Sequence, residues 1–116
     1  MWDAIAFILE ALRSIGKWII RRRVSREEKE MLVRTLPSGE IYMVGSDQRG
    51  DFVRPGDSSH DHYYYNEHDR AVQEQGIETL NKLVARGWVR FDKGILYRVT
   101  SHGFERARKF AKTIKP

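Results

Sequence analysis

The chain is 116 residues long, 41% hydrophobic and 32% charged, the balance of one globular domain with an appendage, which argues against wholesale disorder. It contains no Cys, which removes disulfides, thiolate metal sites and a Cys nucleophile together and fits a reducing, cytoplasmic setting. The formal net charge of +5 favours an anionic partner, either nucleic acid or a membrane surface.

In chain order, residues 1–23 come first as a separate element. At about 100° per residue, Asp3, Glu10, Arg13, Ser14 and Lys17 fall on one narrow arc. The apolar remainder, including Trp2, Ile5, Leu9, Leu12, Trp18 and Ile19, makes a wide hydrophobic face. The polar residues inside the segment argue against a spanning helix, which needs about 20 mostly apolar residues. Met-Trp-Asp is a poor start for a signal peptide, since it lacks a basic leader region. A helix with so wide an apolar face needs cover: its own domain, a second copy in a homo-oligomer, or a membrane interface. The tryptophans near its ends and the triplet Arg21, Arg22 and Arg23 match a helix lying on an anionic membrane surface.

Residues 24–116 read as one α+β domain. Ser25 and Glu28 form a capping box opening a helix with Met31, Leu32 and Leu36 on one side, stopped by Pro37, Ser38 and Gly39. Residues 40–44 have the β-branched and aromatic make-up of a short strand. The stretch 45–65 lacks periodicity and reads as a long acidic loop, a length that is usually functional or mobile. Asn66 is expected to cap a helix running to about Arg86, with Asp69 in its first turn. Its buried face is Ile77, Leu80, Leu83 and Val84, and Gly87 ends it. Residues 88–91 and 95–100 form a hairpin around Asp92, Lys93 and Gly94. Thr100 or Ser101 then caps a last helix with Phe104, Ala107, Phe110, Ala111 and Ile114 facing inward.

The stretch 76–103, a helix with Leu80 and Leu83, a Gly, an apolar pair, then Tyr97, Val99, Thr100 and Gly103, resembles the last helix and wing of winged helix-turn-helix domains, such as those of the MarR and PadR types. The resemblance implies a winged-helix-like domain with a three-stranded antiparallel sheet, a dimeric transcriptional regulator that binds DNA, and a terminal helix that joins the two copies. A winged helix normally carries a further helix between its first strand and its recognition helix. Here the acidic stretch, or a short turn within residues 58–65, takes that place.

Charge is distributed unevenly. Residues 70–116 hold eleven Lys and Arg against four acids, a net of +7, whereas residues 47–69 hold six acids against two Arg, a net of −4. Phosphate contacts are expected from Arg86, Arg90, Lys93 and Arg98 in and beside the hairpin, and from Arg106, Lys109 and Lys112 on the last helix. Arg70, Gln73, Asn81 and Lys82 are the candidates for reading base edges, since Arg suits guanine and Asn or Gln adenine. Glu67, Glu74 and Glu78 stand among them and oppose phosphates. His60, His62 and His68 are metal-ligand types without the spacing of a common site, so no metal is expected. With no Gly-rich phosphate loop and no nucleophile turn, neither catalysis nor a cofactor is expected. The leading reading is a nucleic-acid-binding regulator in the cytoplasm. The alternative is a protein-interaction module tethered peripherally at a membrane surface by residues 2–23, a layout similar to phage superinfection-exclusion proteins.

Overall fold

The computed structural model describes residues 23–45 and 50–114. The amphipathic helix expected over residues 2–20, with Trp2, Ile5, Leu9, Leu12, Trp18 and Ile19, lies outside them. Among the described residues the fold is α+β, with four α-helices and a four-stranded antiparallel sheet of order β2-β1-β4-β3.

Helix α1 (Arg26–Arg34) starts as expected. The Glu28 N–H donates to Ser25 Oγ at 3.2 Å, and the Ser25 N–H donates to Glu28 Oε1 at 3.4 Å. Met31 and Leu32 on its inner side are fully buried. Strand β1 (Glu40–Val44) follows the turn at residues 35–39. Gly39, at φ +70°, is required there, because a Cβ would lie 2.1 Å from the Phe104 ring.

The stretch 45–65 departs from the expected loop. It contains strand β2 (Phe52–Pro55), a 3-10 turn (Ser58–His60) and the short helix α2 (Asp61–Tyr64). Strand β2 pairs with β1 from Ile41↔Pro55 to Val44↔Phe52, which makes the sheet four-stranded rather than three-stranded. Three of its four residues are buried, so no period-two alternation marks it in the sequence.

Helix α3 (Arg70–Ala85) begins later than expected. Asp69 is its cap, accepting from the Ala71 N–H at 3.0 Å, while Asn66 accepts from the His68 N–H at 2.9 Å in a turn of its own. Its C-terminus closes in a Schellman motif. The Gly87 N–H donates to the Val84 carbonyl at 3.0 Å and the Trp88 N–H to the Leu83 carbonyl at 3.1 Å. Gly87 takes φ +77°, as that motif demands. The chain continues through β3 (Val89–Lys93) and β4 (Leu96–Val99) into helix α4 (Ser101–Thr113), capped by Thr100 Oγ1 on the Gly103 N–H at 3.0 Å.

The helices cover the sheet face carrying Ile41, Val53, Val89 and Val99, and with Leu80, Leu83 and Trp88 these make the core. Helix α4 comes close to the turn after α3, where a Cβ on Gly103 would stand 2.0 Å from the Trp88 carbonyl oxygen. Ala107 is buried as expected, but Ala111, in the last turn of the helix, is exposed.

One ion pair joins the two ends of this core. Arg86 Nε lies 2.5 Å from Glu28 Oε2, and both side chains are 4% exposed. Gln retains the capping-box hydrogen bond but not the charge. Glu28→Gln is therefore expected to destabilise the fold by about 3–5 kcal/mol, with much of the loss recovered when Arg86→Met is added, measured by urea unfolding. An unchanged midpoint in Glu28→Gln would show that the pair contributes nothing.

Candidate nucleic-acid interface

The register of the β3–β4 hairpin brings three cations together. Val89↔Val99, Arg90↔Arg98 and Phe91↔Tyr97 pair in simple alternation, and residues directly opposite share a face. A bulge between Phe91 and Lys93 then shifts the ladder, so that Lys93 opposes Leu96. Plain alternation would put Lys93 on the same side as Phe91; the bulge turns it to the side of Arg90 and Arg98. Three cations thus share the hairpin face opposite Val89 and Val99, and all three are exposed.

Asp92 sits among them. Arg98 Nε donates to Asp92 Oδ2 at 2.7 Å, and this bond first, with the charges of Arg98, Arg90 and Lys93 behind it, holds the Asp92 carboxyl below the usual carboxylate range. The Asp92 hydrogen bond in turn raises Arg98, with Asp92 and Glu40 adding charge in the same sense. Glu40 lies directly across from Arg98 and accepts a hydrogen bond from the Tyr42 hydroxyl, which raises the Tyr42 phenol. Arg90 and Lys93 form no ion pair among the described residues. Two like charges opposed across a ladder disfavour the fold, so the Arg90–Arg98 pair calls for an anion that Asp92 only partly supplies.

The expected surface is smaller in other places. Arg86 is buried against Glu28 and stacks 5.2 Å from the Trp88 ring, so it belongs to the core rather than to a phosphate site. Gln73 is 5% exposed, and its Nε2 donates to the Asp51 carbonyl at 3.1 Å, tying α3 to the start of β2. It therefore cannot present its amide to a base. Arg70 and Asn81 are exposed on α3, with Glu74 and Glu78 exposed between them, and Lys82 pairs with Glu78 at 3.4 Å. The base-reading candidates thus reduce to two residues separated by acids.

On α4, Arg106 stands 5.7 Å from the Trp88 ring, Lys109 is 3.6 Å from Glu105, and Lys112 is exposed. This helix packs on the core side of the sheet, so its cations form a second patch, separate from the hairpin's. Sequence reasoning had no means of separating the two, and it missed Asp92 as the point on which the hairpin's cations converge. No signal short of the ladder register reveals the bulge.

Among the described residues no group of three or more His, Asp or Glu is placed to hold a metal ion. His60 and His62 instead flank the Tyr63 ring at 6.3 and 4.0 Å, and His68 pairs with its neighbour Glu67 at 3.1 Å. Nor is any helix among the described residues long and apolar enough to cross a membrane. Comparison of the chain with protein-family models, curated proteins and solved structures finds no match.

The Asp92 carboxyl owes its low titration mainly to one hydrogen bond. In Arg98→Gln its midpoint, followed by carboxyl NMR, is expected to rise toward the ordinary range. An unmoved midpoint would assign the effect to Arg90 and Lys93 alone.

Proposed function

We propose that this chain binds nucleic acid through the phosphate backbone, with the hairpin face of Arg90, Lys93 and Arg98 as its principal contact. The observation that carries the reading is the bulge-directed gathering of three exposed cations around one carboxylate. Such a face suits a repeating polyanion, because successive phosphates can each take one cation and release a counterion. Helix α4, with Arg106, Lys109 and Lys112, adds a second basic patch for the same backbone.

The order helix, strand, short helix, long helix, hairpin, helix supports a winged-helix-like architecture elaborated by one strand, β2. In this reading the 3-10 turn and α2 take the place of the further helix that a winged helix carries before its recognition helix, and α3 is mainly a structural helix whose acids keep it off phosphates. The protein acts as a dimeric transcriptional regulator, with the segment 1–23 joining two copies so that two hairpins address one ligand. It is not an enzyme and needs no cofactor.

The test is affinity as a function of salt. The logarithm of the binding constant should fall linearly with the logarithm of salt concentration, and each of Arg90→Gln, Lys93→Gln and Arg98→Gln should reduce the slope by about 0.7–0.9. Asp92→Asn should raise affinity about fivefold, since one charge at about 4 Å in water amounts to about 1 kcal/mol. Binding indifferent to salt, or three variants indistinguishable from the parent, would overturn the assignment.

A further inference from the structure

The hairpin carries a second kind of surface, apolar and on the other side from its cations. Phe91 and Ile95 are each 55% exposed, two of the three large hydrophobic side chains that stand out into solvent among the described residues. Phe91 belongs by register to the core side of the sheet, yet the helices do not cover it. Tyr97, half-buried against the core, meets the Phe91 ring edge to face, with centroids 5.3 Å apart and planes at 73°. That contact props the Phe91 ring from one side and leaves the rest of it open.

Strand β3 lies at the outer edge of the sheet. Adjacent residues on a strand point to opposite faces, so Arg90 and Phe91 stand back to back at an edge that one ligand can straddle. A polynucleotide has the matching two-sidedness, phosphates along one border and aromatic bases along the other. In a duplex the bases face each other and only their edges are accessible, whereas a single strand can turn a base face outward. We infer that the open edge of β3 binds single-stranded nucleic acid, with phosphates on Arg90, Lys93 and Arg98 and a base stacked on Phe91. This rests on the nucleic-acid reading above and makes single strands the preferred ligand.

Fluorescence anisotropy of the full chain with labelled short oligo(dT) and with a random duplex of equal length tests it, alongside sedimentation with anionic phosphatidylserine vesicles. Oligo(dT) should bind more tightly than duplex. Phe91→Ala and Phe91→Leu should both weaken oligo(dT) binding by about 5- to 150-fold, the range for loss of one stacked base, with duplex binding and the salt slope unchanged. Circular dichroism shows whether each variant is folded, and Leu preserves apolar bulk should Ala perturb the hairpin. Full affinity in Phe91→Leu would replace stacking by plain apolar contact and overturn the inference. Duplex preferred over oligo(dT) would overturn it while leaving the nucleic-acid reading intact. Binding to neither nucleic acid would end both, and Phe91-dependent sedimentation with vesicles alone would assign the edge to a lipid surface instead.

Discussion

Glu28 holds two ends of the molecule at once. Its Oε1 completes the cap of α1, and its Oε2 receives Arg86 from the C-terminus of α3. Each charge sits where a helix dipole favours it, the carboxylate at an N-terminus and the guanidinium at a C-terminus. This lowers the cost of burying a pair that desolvation would otherwise penalise heavily. From Arg86 the dependence runs onward. Its guanidinium stacks on Trp88, the Trp88 carbonyl accepts the Thr100 N–H at 2.9 Å, and Gly103 of α4 closes against that same carbonyl. The start of the hairpin, the end of α3 and the first turn of α4 are thus fixed together by one short stretch of chain.

That arrangement separates structure from surface. Residues 86–89 make the joint, where Arg86, Trp88 and Val89 are all buried. The hairpin beyond them is free to carry charge and an exposed ring. The cations at 90, 93 and 98 contribute nothing to the core, so the charge of the hairpin is set independently of the joint that positions it. A rigid base with a projecting tip is a suitable way to present a binding edge.

Much of the fold was legible because its local signals agree with its packing. The Ser25–Glu28 box, the β-rich composition of residues 40–44, Gly87 as the helix terminator and Thr100 as a cap each report a short-range hydrogen-bond demand that the sequence states outright. What escaped was set by distant partners. Strand β2 is buried on both faces and framed by acidic residues, so it shows neither alternation nor an apolar run of useful length. Arg86 and Gln73 have the residue types of a nucleic-acid site but are buried. Their fate depended on Glu28, 58 residues away, and on Asp51, 22 residues away. Asn66 and Asp69 are both good caps by residue type, and residue type alone does not decide between them.

The outer edge of β3 has a further bearing on how the protein behaves at high concentration. An uncovered strand edge is a template for pairing with another copy, and proteins blunt it with charge and with bulges that twist it away. Here Arg90, Lys93 and the bulge serve that purpose beside an exposed Phe. Like charge on two such edges keeps copies apart across only a Debye length, about 8 Å in physiological salt and about 3 Å at 1 M. The conditions that strip a polyanion from this edge also remove its electrostatic guard. Concentrated salt is therefore where the bare protein is most inclined to join edge to edge.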